Sequence, residues 1–377
     1  MSTRGLAAAL LIPALLRPPV LAWEVPERDY WPTREWRVSA PEAEGMDAGR
    51  LARLDDLIAG KHPEVRGLVI VRRGRIVFER HYGGDTPTTV YNVKSVSKSI
   101  LSALVGIARS GGMLQDLDLP LADYFPEHFG QGTDPRKKKI TVRHLLTMAA
   151  GLEWDELGPG VERWFHSKDL VKATLDAELV SEPGTAFHYS TALSHVLAVL
   201  LERVVKADLR DYADKRLFAP IGLKLQDWMR DPRGHRLGGS EMHMTVRDMA
   251  RFGFLYLNGG RWDGKQIVPS EWIRESARSQ APGPAGREYG YLWWVSEYGG
   301  LPVLGAQGYG GQLICVLPAL DLVVVVASTT DGSVGGSFWI VKDHVLPAVR
   351  AASENGAPRT VPRSAPPRER SISRPGA

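Results

Sequence analysis

The 377-residue chain has one cysteine, Cys315, so no internal disulfide framework holds it together. Cys315 sits in the apolar run Leu313-Ile-Cys-Val-Leu317, which predicts a buried structural thiol rather than a nucleophile. There is no Gly-x-Ser-x-Gly elbow, no His-Glu-x-x-His, no Cys-x-x-Cys pair and no P-loop. α/β-Hydrolase, zinc-protease and phosphoryl-transfer chemistries therefore lack their minimum parts, and no cofactor or metal is expected. The ten histidines are scattered, and His144, His195 and His243 read as helix or core residues. No apolar run is long enough to anchor the chain stably in a bilayer, and no internal repeat is visible. Net charge of one sign is also scarce. Of the formal +4, the first 22 residues carry +2 and the segment from Ala352 carries +3, which leaves about −1 for the body. A nucleic-acid groove is not supported by a nearly neutral body.

What is present is a large apolar supply: 44% of residues are hydrophobic, with eleven Trp and eleven Tyr, enough for a large core. Residues 1–22 run from Arg4 through Leu6–Leu16 to small residues at Ala22, the outline of a signal peptide. This predicts export to the periplasm or beyond, the alternative being a cytoplasmic protein with an untrimmed start. Residues 23–44, rich in Trp and Pro, read as an extended arm. Apolar spacing predicts helices over 47–59, 95–109, 141–148, 190–205, 245–258 and 337–348. Alternating or β-branched runs predict a hairpin over 66–71 and 75–79, and strands over 291–295, 312–316 and 322–327. Strands at both ends with helices between them predict an α+β fold: an antiparallel sheet built from N- and C-terminal segments, flanked by helices, beside an inserted helical lobe. The α/β lobe is expected at about 45–110 and 265–351, and the helical lobe at about 111–264. Together they form one domain, 23–351, with a crevice between lobes as the place for a site. The tail, 352–377, is Pro, Arg, Ser and Ala and is expected to be disordered.

Three segments carry candidate chemistry. In Lys94-Ser95-Val-Ser-Lys98-Ser99 a helix opens, and residues three apart lie on one face, so Ser95 and Lys98 can meet. A serine hydroxyl needs a base to become a nucleophile, and a helix N-terminus offers N–H groups to oxyanion charge. A lysine works as that base only when desolvated or set near other cations. Alone, Ser-x-x-Lys arises often by chance as a capping serine and a solvated lysine; its place at the head of a strongly apolar helix raises its weight. In Pro183-Gly-Thr-Ala-Phe-His188-Tyr189-Ser-Thr191 the loop ends in a tyrosine that serves as a base or shuttle beside a cation, or as an aromatic plug. His188 could line the same pocket. In Gln307-Gly-Tyr309-Gly310-Gly311-Gln312 the glycines let a substrate approach a strand edge whose N–H completes an oxyanion hole, or simply form a turn. Trp154, Trp164, Trp293 and Trp294 are candidate pocket walls or core, and Asp248 and Arg251 a helix pair.

Ser95-Val-Ser-Lys98, Tyr189-Ser-Thr191 and Tyr309-Gly-Gly311 stand in the order and near the separations of the three motifs of class C β-lactamase-like serine hydrolases. Tyr30-Trp-Pro-Thr33, Ile140-Thr-Val-Arg-His-Leu-Leu146 with Gly151-Leu152, Met244-Thr-Val-Arg-Asp-Met-Ala250 and Tyr289-Gly-Tyr-Leu-Trp-Trp294 resemble the same family, so the likeness spans about residues 30–350. The resemblance implies Ser95 as nucleophile, Lys98 and Tyr189 as the proton-handling pair with the base undecided between them, and oxyanion donors from the amides of Ser95 and Gln312. It implies a small ester or amide substrate. β-Lactamases of this class carry Asn where this chain has Thr191 and Lys where it has Tyr309. Losing that lysine removes a cation for a β-lactam carboxylate. The likeness is therefore closer to the esterase and 6-aminohexanoate-dimer hydrolase branch. A D-alanyl-peptide carboxypeptidase or weak β-lactamase, and a non-catalytic binding protein of this fold, are the alternatives.

Overall fold

A computed structural model describes residues 25–330 and 336–349. The expected signal peptide, 1–22, and the expected disordered tail, 352–377, lie outside the described residues. No helix among the described residues is long and apolar enough to cross a membrane.

The Leu322–Ser328 strand is apolar at nearly every position because both of its faces are covered. It lies in an eight-stranded antiparallel sheet ordered Arg75–His81, Val65–Arg72, Leu322–Ser328, Gln312–Leu317, Leu301–Gly308, Trp294–Tyr298, Glu288–Tyr289 and Ala281–Pro282. The two segments that begin and end the sheet's sequence thus pair side by side as its second and third strands, Val65 opposite Ser328 and Arg72 opposite Leu322. The first hairpin turns on Arg73 and Gly74, both at positive φ, the geometry of a two-residue turn. Leu68 and Ile70 face the Ala48–Lys61 helix and the C-terminal helical segment, while Val69 and Val71 face the larger core.

That larger core holds the Val96–Ser110 helix, the Val246–Leu257 helix against the sheet, and the inserted helical lobe with Val142–Leu146, Leu170–Asp176 and Thr191–Val205. Val96–Ser110 is buried nearly all round, as expected of a helix walled by a sheet and a second lobe. Gly106 is required there, since a Cβ would come within 2.3 Å of the Trp272 indole. The N-terminal arm is tied down as an extended segment: Arg28 pairs with Asp321 at 2.6 Å, Trp262 Nε1 donates to Thr33 Oγ1 at 2.8 Å, and Arg251 Nε donates to the Pro32 carbonyl at 2.9 Å. Arg251 also pairs with Asp248 at 2.8 Å, across a helix turn.

The α+β arrangement with an antiparallel sheet is present, with local departures. The helix expected over 141–148 spans Val142–Leu146, because Thr141 caps its first turn and Met148 turns to positive φ. The strand expected over 291–295 begins at Trp294, since Leu292 has φ 60° and its carbonyl accepts from Ser99 Oγ at 2.7 Å. The Leu301–Gly308 strand went unpredicted, its Pro302, Gly305 and Gly308 masking the alternation. The C-terminal helix contains a π-helical stretch, Ile340–Val345.

Candidate active site

Ser95 stands at the entry to the Val96–Ser110 helix, and Lys98, one turn on, shares its face. Lys98 is 1% exposed, yet its ammonium has an acceptor for each proton. Nζ donates to Ser95 Oγ at 2.7 Å, to the Gly239 carbonyl at 2.8 Å and to Thr191 Oγ1 at 2.9 Å. Burial pushes the Lys98 pKa down to about 8, against the pull of the Glu156 carboxylate, which favours the ammonium. Just ahead of the serine, Lys94 has φ 49°, a strained conformation costing about 1 kcal/mol outside glycine. It is held there by Lys94 N donating to Asn92 Oδ1 at 3.0 Å and by Lys94 Nζ donating to Glu241 at 3.0 Å.

Tyr189 reaches the same point from the loop before the Thr191–Val205 helix. Its ring stacks on Trp294 at 5.5 Å and meets Tyr289 edge-on at 6.0 Å, while Lys98 Nζ lies 4.9 Å from its centroid. Burial raises the Tyr189 pKa well above that of a free phenol, and the Glu156 carboxylate adds to this; the nearby Ser95 hydroxyl and the charge of Arg287 work in the other direction. The phenol therefore rests protonated.

Thr191 opens its helix, and its surroundings contain the residue that motif reading missed. Glu156 accepts from Thr191 N at 2.8 Å, from the Thr191 hydroxyl, and from Trp154 Nε1 at 2.5 Å. It lies in a loop of no recognisable pattern, so no local signal marks it. Gly239 was missed likewise: a Cβ there would sit 2.8 Å from Thr191 Cγ2 and 3.3 Å from Lys98 Nζ.

Ser95, Tyr189 and Thr191 line a cleft of about 900 Å³ together with Tyr309, Gly310 and Gly311. Gly310 and Gly311 have φ 80° and 98°, and a Cβ on Gly308 would strike the Val93 carbonyl at 2.4 Å, so glycine is what brings this turn against the serine segment. Of the other residues singled out from sequence, Gln312 directs its side chain away from the cleft, donating to the Ser328 carbonyl at 2.6 Å and accepting from Ser328 N at 3.2 Å and so tying adjacent strands, while its backbone follows Gly311 of the cleft lining. His188 is not in the lining either, its amide donating to the Met148 carbonyl at 2.8 Å. Of the four tryptophans only Trp294 walls the cleft; Trp164 donates to Leu170 O and Thr174 Oγ1 in a separate small core. Arg287, stacked 4.2 Å over Trp294, adds a cation to the wall. Among the described residues no group of three or more His, Cys, Asp or Glu is placed to hold a metal.

The Beta-lactamase family model matches residues 54–338. The chain belongs to the Beta-lactamase family. This Beta-lactamase family member is 26% identical to a 6-aminohexanoate-dimer hydrolase of Paenarthrobacter ureafaciens over 74% of its own length and 76% of that protein's. It is 28% identical to esterase EstB of Burkholderia gladioli over 49% of its length and 53% of the esterase's. It shares its fold with EstCE1, a hydrolase with promiscuous acyltransferase activity, at a TM-score of 0.66 and 19% identity, covering 82% of this chain and 99% of that one.

Proposed function

We propose that this protein is a serine hydrolase that cleaves a small ester or amide through an acyl-enzyme on Ser95, with Lys98 as the acylation base and Tyr189 as the phenol that relays the proton. The observation that carries the reading is the 2.7 Å bond from the buried Lys98 Nζ to Ser95 Oγ. With a pKa of about 8, about a tenth of the Lys98 side chains are neutral at pH 7, whereas the raised pKa of Tyr189 leaves almost no phenolate. Ser95 Oγ attacks the carbonyl carbon, its proton passes to Lys98 Nζ, and the carbonyl π pair moves onto oxygen. The Ser95 amide, which donates to no acceptor among the described residues, and the amide of Gln312 receive that charge. Collapse expels the leaving group as it takes a proton from Tyr189, which is resupplied by Lys98. Water then repeats the sequence on the acyl-enzyme. Leu157 and Phe165, large apolar side chains exposed on the cleft rim, suit an uncharged acyl or alcohol part.

Purified protein and Ser95→Ala, assayed on a p-nitrophenyl ester and by intact mass after a fluorophosphonate probe, test the reading. Turnover and one adduct, both lost in Ser95→Ala, are expected. No adduct and equal background rates would leave a non-catalytic binding protein. Arg287 favours a carboxylate-bearing substrate such as a D-alanyl peptide as the second reading; stable acylation of Ser95 by penicillin would support it.

A further inference from the structure

Around Lys98 the protons can be counted. The Gly239 carbonyl is an acceptor only, so the Lys98 direction toward it must carry N–H. The Thr191 hydroxyl has one proton, and that proton is given to Glu156 Oε1. Facing Lys98, Thr191 Oγ1 is thus left as an acceptor, and this second direction must carry N–H as well. A neutral amine has two N–H bonds and one lone pair. Both N–H bonds are committed, and the lone pair has one remaining direction, toward Ser95 Oγ.

We propose that Glu156 is a positioning residue that, by holding the Thr191 hydroxyl proton, aims the lone pair of neutral Lys98 at Ser95. This rests on the Ser95 acyl-enzyme reading. The Ser95 proton then passes to Lys98 with neither side chain turning, because the ammonium and the amine use the same three directions. Without Glu156, the Thr191 hydroxyl is free to donate to the Lys98 lone pair and to compete with the serine for it. The carboxylate is itself pinned by the Thr191 amide at 2.8 Å and Trp154 Nε1 at 2.5 Å, so it has an orientation to impose. Thr191 stands where the resembling β-lactamases carry Asn, whose amide can both donate and accept; the hydroxyl needs an external acceptor to settle its role.

The charged and titratable groups around Lys98 are Glu156, the neutral phenols Tyr189 and Tyr289, the Lys94–Glu241 pair at 3.0 Å on the cleft wall, and Arg287 beyond Trp294. Glu156 is the one whose charge favours the ammonium strongly enough to oppose burial. Replacing it by Gln removes that charge and places an NH₂ where one of the two Thr191 donors must go.

The test is ester hydrolysis by Glu156→Gln, Thr191→Val, Thr191→Ser and the double variant Glu156→Gln/Thr191→Val. Each is first shown to be folded by its unfolding transition and to label once with fluorophosphonate. Glu156→Gln is expected to lower kcat on the order of tenfold or more with KM within about twofold, and to move the acid limb of the pH–rate profile to lower pH. Thr191→Val loses a similar factor, Thr191→Ser restores it, and the double variant falls no further than Thr191→Val. An unmoved acid limb, or losses that multiply in the double variant, would overturn the role of Glu156 while leaving Ser95 as nucleophile. Absence of labelling in the wild type would instead overturn the acyl-enzyme reading.

Discussion

Lys98→Met separates what the buried base does for folding from what it does for chemistry. The fall in pKa from 10.5 to about 8, caused first by burial, costs the fold about 3 kcal/mol at neutral pH. Below pH 8 folded and unfolded chains both hold the proton, and the cost is present in full. Between about 8 and 10.5 only the unfolded chain still binds it, so stability rises with pH; above 10.5 the cost is gone. Methionine fills much of the same space without charge, but leaves the Gly239 carbonyl without its Lys98 donor, a loss of about 2 kcal/mol. Lys98→Met is therefore expected to be about as stable as wild type at pH 7 or more so, by about 1 kcal/mol. By pH 10 the wild type regains most of the cost of desolvating Lys98, about 2 kcal/mol, and the order reverses. Urea unfolding followed by tryptophan fluorescence at both pH values measures this, with esterase turnover lost at each. A difference between variant and wild type that stays constant from pH 7 to 10 would refute the argument that Lys98 is desolvated at the expense of its proton.

In the wild type, kcat/KM is expected to rise about tenfold per pH unit below pH 8 and to level off above it, as a base of that pKa loses its proton; a flat profile from pH 6 to 9 would assign the base elsewhere. Gly239→Ala forces a methyl to 2.8 Å from Thr191 Cγ2 and 3.0 Å from the Thr191 carbonyl, so ester turnover per folded molecule should drop on the order of tenfold. Gln312→Leu strands the amide and carbonyl of Ser328 and should lose about 2–4 kcal/mol by urea titration. Gly106→Ala drives a methyl into the Trp272 indole and should cost about 1–3 kcal/mol, read as a lowered melting temperature.

What was legible in the sequence was local. Ser95 and Lys98 are three residues apart on one helix, so periodicity alone places them together, and the capping residues Asp47, Thr141, Ser190 and Thr245 announce their helices. Tyr189 and the glycine turn were found by motif. The partners that decide how Lys98 works were not legible, because Glu156 and Gly239 reach it from loops 58 and 141 residues away along the chain. Those loops have no period to read. Gln312 shows a different limit: the glycine turn drew attention to its backbone amide, whereas the role of its side chain, bonded to Ser328 on the neighbouring strand, rests on a long-range pairing with no local signal.

The pairing of Val65–Arg72 with a strand from the far end of the sequence sets a schedule for synthesis. Its partner Leu322–Ser328 is made about 250 residues later, which at roughly 5–20 residues per second is a delay of about 12–50 s. For that interval the run Leu68-Val-Ile-Val71 has one edge unpaired and both apolar faces short of their cover. The active site cannot be assembled earlier either, since the glycine turn and Trp294 belong to the same late segment. A nascent chain of this protein thus spends most of its time on the ribosome as an inactive, adhesive hairpin, and slower elongation lengthens the window in which that edge can pair with another chain.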